Sequence, residues 1–125
     1  MPAQDDQGRY IAPEETRAGQ QVASAARTTT ANGTSFDTSD VDEITGAVTV
    51  TAASGTNPTL DVILQTTADG TNYYTAGSFT QKTAITAAET KVFTGLGSSS
   101  RWRWTIGGTD TPTFTFAVVA TFEKE

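Results

Sequence analysis

From Gly33 onward, apolar and polar positions alternate in short runs, and turn-forming residues interrupt them every 10 to 15 residues. That is the pattern of strands with one buried face in a sandwich or barrel. In Ala47 to Ala53, Val48, Val50 and Ala52 share one face and threonines the other. After Gly55-Thr56-Asn57-Pro58, a second run places Leu60, Val62 and Leu64 on one side. Asp69-Gly70 is a hairpin pair that accepts positive φ, and strands over 73–80 and 90–94 follow it. Arg101 to Ile106 and Thr113 to Phe122, separated by Gly107 to Pro112, alternate most regularly of all, with large apolar residues on one face and Thr or Arg on the other. A short strand at 35–37 brings the number to about seven. The connections are too short for parallel crossovers, so the predicted fold is all-β, an antiparallel β-sandwich that is jelly-roll-like or Ig-like.

Residues 1–32 carry a different pattern. Gln, Ala, Thr and charge dominate, and Tyr10, Ile11 and Val22 are the sizeable apolar side chains, too few to build a core. The segment is read as an extended N-terminal arm ahead of a β-sandwich domain spanning 33–125, with a short helix expected after Pro13, where Glu14 and Glu15 suit the positive end of a helix dipole. Tyr10, Ile11, Val22 and the arginines Arg17 and Arg27 are its candidates for contact with a partner.

Composition sharpens this picture. A chain of 125 residues suits one domain with one core. Its 26 threonines favour strands over helices. With no histidine and no cysteine, disulfides, thiolate and imidazole catalysis, and sulfur- or imidazole-bound metals are excluded. The net charge of −6 argues against nucleic acid and anionic lipid as partners. Most of it is local: residues 1–43 carry 8 acids and 3 bases, residues 44–125 carry 6 and 5. No apolar run approaches the roughly 20 residues of a membrane helix, and Met1 to Tyr10 is polar where a signal peptide needs an apolar stretch. The chain is expected to be made and folded in a cytoplasm.

Few constellations carry chemistry. Asp37, Asp40, Asp42 and Glu43 offer oxygens to calcium, but their spacing lacks the alternating pattern with a central glycine, and the cluster is read as a solvated loop. Asp61 and Glu89 lie in or beside strands without a flanking aromatic that would raise a pKa for acid catalysis. Ser98-Ser99-Ser100 has no histidine to activate it and is read as a loop. In Arg101-Trp102-Arg103-Trp104, period-two geometry turns both tryptophans to the core and leaves Arg101 and Arg103 on the outer face, able to grip a partner's carboxylates. Of the adjacent pair Tyr73-Tyr74, one ring must face outward. No catalytic, cofactor-binding or metal-binding residue is assigned, and no enzymatic activity is expected.

The texture of residues 45–122 is similar to that of small β-sandwich virion proteins of tailed bacteriophages, in particular capsid decoration (cement) proteins. It is carried by Leu60-Asp61-Val62 through Thr66, the turn Ala68 to Asn72 with its tyrosine pair, Gly77 to Thr80, Val92 to Leu96, Arg101 to Trp104, and Phe114-Thr115-Phe116. The resemblance implies a structural protein, made in the host bacterial cytoplasm, that binds the outside of a phage capsid and bridges neighbouring subunits. Its partners would be the major capsid protein and neighbouring copies of itself, and a trimer would suit a threefold site. It implies no cofactor and no functional residue. The alternatives are a carbohydrate-binding or adhesin-like module using Tyr73 and Tyr74, and a head-tail or tail component.

Overall fold

The computed structural model describes the backbone of residues 5–6, 8–9 and 16–124, and the side chains of residues 21–124. Strands β1 (Asp5–Asp6) and β2 (Gly8–Arg9) pair with each other. The rest form one antiparallel sheet of seven strands: β3 (Thr16–Arg27), β4 (Ala31–Asn32), β5 (Phe36–Asp37), β6 (Val41–Thr67), β7 (Tyr73–Ser78), β8 (Thr86–Phe93) and β9 (Ser99–Lys124). The all-β, antiparallel prediction holds. Its strand count arises differently, because the pairs of runs expected on either side of residues 55–58 and 107–112 are two long strands, β6 and β9, paired with each other from Val41↔Lys124 to Thr67↔Ser99.

Both turn signals are real, yet they fall side by side. Gly55 (φ 109°) and Asn57 (φ 49°) bend β6 where Gly108 (φ 119°), Asp110 (φ 60°) and Thr111 (φ 52°) bend β9. Thr56 still pairs with Thr109 between the two bends. The ladder therefore turns the corner with shifts of register instead of ending, as bulged strands do at the corner of a sandwich. Glycine is required at 55, where a Cβ would stand 2.7 Å from Pro112 Cα. Beyond the corner the ribbon folds over itself. One layer has the order β3, the 113–124 part of β9, the 41–54 part of β6, then β8. The other has β4 and β5, the 99–107 part of β9, the 59–67 part of β6, then β7.

The core lies between these layers. Trp102 from the second layer meets Phe93 from the first edge-on, with ring centres 5.4 Å apart, and stacks on Phe79 at 6.0 Å. Trp104 meets Phe116 at 5.6 Å. Ile44, Val48, Val50, Leu60, Val62, Leu64, Phe114 and Val118 fill the space between them, so the expected burial of both tryptophans is observed. At one end a buried hydroxyl cluster closes the fold: Thr38 Oγ1 donates to Gly97 O (2.9 Å), Ser100 Oγ to Thr66 Oγ1 (3.0 Å), and the Gly97 amide to Thr66 Oγ1 (2.7 Å). The triple serine is thus more than a loop. Ser99 and Ser100 open β9, and Ser100 is fully buried.

The N-terminal expectations need two corrections. No helix forms from Thr16 to Arg27, which is the edge strand β3 on β9; Pro13 to Glu15 lie outside the described residues. The compositional boundary at residue 32 is also not the edge of the sheet. β3 makes nine register pairs with β9, from Thr16↔Glu123 to Arg27↔Phe114, and β4 pairs with Arg103 and Trp104. Small residues suffice because an edge strand borrows its apolar cover from the strand beside it.

Candidate functional site

The two outer faces of the sandwich differ in chemistry. In the first layer, the outward positions Thr45, Ala47 and Thr49 of β6 face Thr121, Val119 and Ala117 of β9, with Val92 and Thr90 of β8 alongside. None of these side chains is charged, and Val92 and Val119 are about half exposed (52% and 46%); the outward row ends in charge only where Glu43 stands opposite Glu123. In the second layer, Arg101 and Arg103 face Gln65 and Ile63, and Thr105 faces Asp61. The arginines stand on the outer face as expected, but each is held within the chain. Arg101 lies 3.8 Å over the Tyr73 ring and donates to Gln65 Oε1 at 2.9 Å; Arg103 donates to Asn32 Oδ1 at 2.8 Å. Of the tyrosine pair, Tyr73 stands on this outer face under Arg101, and Tyr74, opposite Thr66 and half exposed, points to the other side of the strand.

The arm candidates separate. Tyr10 and Ile11 lie outside the described residues, and Arg17 is placed in backbone only, opposite Phe122. Val22 is buried (4%) opposite Val118, so it serves the core and not a partner. Arg27 reaches back along β3. Its guanidinium stacks over Trp104 and Phe116, 4.9 and 4.8 Å from their ring centres, and donates to the carbonyls of Ala23, Ala25 and Phe116. It borders a cleft of about 370 Å³ between β3 and β4, lined by Gln21, Ala23, Asn32, Thr34 and Trp104. Burial lowers the Arg27 pKa. The register shifts of β3 at Gln20/Val22 and Val22/Ala25 open this cleft; sequence alternation gave no sign of them.

Four of the six carboxylates singled out in the sequence, Asp37, Asp40, Asp61 and Glu89, are occupied locally. Asp40 pairs with Lys124 at 3.0 Å, Asp37 Oδ1 accepts from the Ser39 amide at 2.8 Å, and Asp61 accepts from Gln81 at 3.0 Å. Among the described residues no three acids converge as metal ligands. Glu89 accepts from the amide and hydroxyl of Thr80 and from the buried Lys82 ammonium. Burial pushes its pKa up, yet these donors outweigh burial and hold it below the usual range. Asp69 is held well below that range by the amides of Asn72 and Thr71 and the side chains of Asn72 and Thr67. Both groups stabilise the fold while ionised, above their unfolded pKa values near 4, and lose that contribution as pH falls through the lower folded values. Acid titration followed by circular dichroism should therefore show the melting temperature falling below about pH 4.5. Asp69→Asn and Glu89→Gln should each flatten that fall, and an unchanged acid limb in both would contradict these roles.

No family model matches the chain, and no curated protein matches it. Its fold is shared by solved structures. The SPBc2 prophage-derived protein YomS aligns at a TM-score of 0.54 and 11% identity, over 86% of this chain and 91% of that one. VP2 of infectious bursal disease virus, from its subviral particle, aligns at 0.58 and 12% identity over 87% of this chain. The Gt strain of that virus gives 0.54 and 9%. The chain spans about a third of the length of the two viral chains (32% and 33%). At these identities the likeness is one of fold.

Proposed function

We propose that the chain is a structural protein of a virion, which docks on the outside of a phage shell and stabilises it by bridging neighbouring subunits. The observation that carries this reading is the contrast between the outer faces. A chain of net charge −6 keeps an uncharged patch across β6, β8 and β9, bounded at one end by Glu43 and Glu123, and a patch of Thr, Ala and Val costs little to desolvate against a protein surface. The shared fold of a prophage protein and VP2 supports it. The opposite face holds its arginines in internal contacts, and of the described aromatic residues Tyr73 has its ring face taken by Arg101, which leaves Tyr74 as the half-exposed ring for a sugar platform. Many copies binding only the assembled shell would stabilise it by mass action, about 2.7 kcal/mol per site at a hundredfold excess over Kd.

The test is co-sedimentation of the purified full chain with shells that lack it. Val119→Glu puts a charge at the centre of the uncharged face while leaving the core intact. It should change stability by no more than about 0.5 kcal/mol and weaken co-sedimentation at least tenfold. A Val119→Glu variant that binds shells like the parent would contradict the assignment of this face.

A further inference from the structure

The cleft between β3 and β4 presents a cation that the body of the protein does not neutralise. A guanidinium has five N–H donors. Three of Arg27's are taken by the carbonyls of Ala25, Phe116 and Ala23, both Nη1 donors among them, which leaves Nε–H and one Nη2 hydrogen. Among the described residues no carboxylate pairs with it; the ion pairs there are Lys82 with Glu89 and Lys124 with Asp40. The side chain is fixed against Trp104 and Phe116, so its remaining donors are already oriented. A rigid, partly desolvated arginine fork favours a carboxylate. The cleft beside it, lined by Gln21, Asn32, Thr34 and Trp104, has room for the residues flanking such a group.

The chain itself holds a matching segment. Residues 1–15 carry Asp5, Asp6, Glu14 and Glu15 against Arg9 alone. We propose that the Arg27 cleft receives this acidic segment from a neighbouring copy of the chain, with one or more of its carboxylates on the free Arg27 donors. Reach favours a neighbour over the same chain. Thr16 stands opposite Glu123, and the Arg27 guanidinium is bonded at Phe116, roughly 23 Å away at about 3.3 Å per residue. Glu14 and Glu15, two and one residues before Thr16, fall short by more than about 10 Å. Asp5 and Asp6 belong to the β1–β2 ladder that ends at Arg9. They arrive only if the residues from Arg9 to Thr16 are drawn out to their limit of about 25 Å. A neighbour delivers any of the four without that stretch. The contact is heterologous, arm of one copy to cleft of the next, and closes into a ring or runs on as a chain. It does not depend on the presence of a shell.

Sedimentation equilibrium of the full chain at low and high salt tests this. The parent should self-associate at low salt and dissociate as salt screens the contact. The fourfold variant Asp5→Asn, Asp6→Asn, Glu14→Gln, Glu15→Gln and the single variant Arg27→Gln should each associate at least tenfold more weakly. An equimolar mixture of the two should recover a heterodimer, because one supplies the cleft and the other the acids. Since Arg27 also braces two aromatic rings, folding of each variant is checked by its melting curve. The fourfold variant leaves every described side chain from Gln21 on in place and decides the question alone if Arg27→Gln does not fold. A parent that stays monomeric at low salt, a fourfold variant that associates like the parent, or a mixture of folded variants without heterodimer would each overturn the proposal.

Discussion

Trp102→Ala is expected to lower the unfolding free energy by about 3–5 kcal/mol, the range for removing a large aromatic from a packed core. Trp102 is 1% exposed, touches Phe93 of the facing strand β8 and Phe79 just past the end of β7, and presses on the backbone at Gly46, where a Cβ would lie 3.0 Å from its ring. No neighbouring side chain can move in to refill that space without abandoning the other layer. Trp102→Phe should cost much less than alanine, because Nε1 has no hydrogen-bond partner to lose. Arg101→Ala, one residue away on the outer face, should cost about 1 kcal/mol or less. Urea denaturation of the three variants measures this order; a Trp102→Ala loss below about 1 kcal/mol would place the ring outside the core.

Removal of residues 1–27 is expected to abolish folding, whereas removal of residues 1–15 leaves the melting temperature within a few degrees of the parent. The difference is β3. Without it, Trp104 and Phe116 lose the Arg27 cover, Val118 loses Val22, and β9 presents an unpaired edge of the kind that templates aggregation. Burying Val22 alone is worth about 1.5–3 kcal/mol, and the ladder and the stacked guanidinium add to that, against a total stability of about 5–15 kcal/mol. Soluble expression and thermal melting of the two truncations decide this. A well-folded 28–125 fragment would show that β3 is dispensable.

This contrast also marks where sequence reading succeeds and where it stops. Period-two alternation located the buried faces correctly at Val48 and Val50, at Leu60, Val62 and Leu64, and at Trp102 and Trp104, because those residues must hide their own apolar surface. It missed β3, where Ala, Gly and Gln pair with β9 and Val22 is the buried apolar residue among the described side chains. An edge strand of that composition is defined by its neighbour. Turn residues at 55–58 and 107–112 were legible as bends, but only tertiary structure shows that the two bends lie side by side and that pairing continues between them. The uncharged face was implicit in the threonine excess, though register was needed to bring Thr45, Thr121 and Val92 into one row. Arg27 was named as a contact residue; its partly satisfied fork and the cleft beside it depend on bulges that no local pattern announces.

A reconstruction of the assembled particle by electron cryomicroscopy tests the central claim most directly. The account expects this sandwich on the outer surface of the shell, with the face bearing Thr45, Ala47, Val119 and Thr121 buried against the subunits and the face bearing Arg101 and Arg103 turned to solvent. A particle that lacks the chain, or one in which the arginine-bearing face is the buried one, would contradict it.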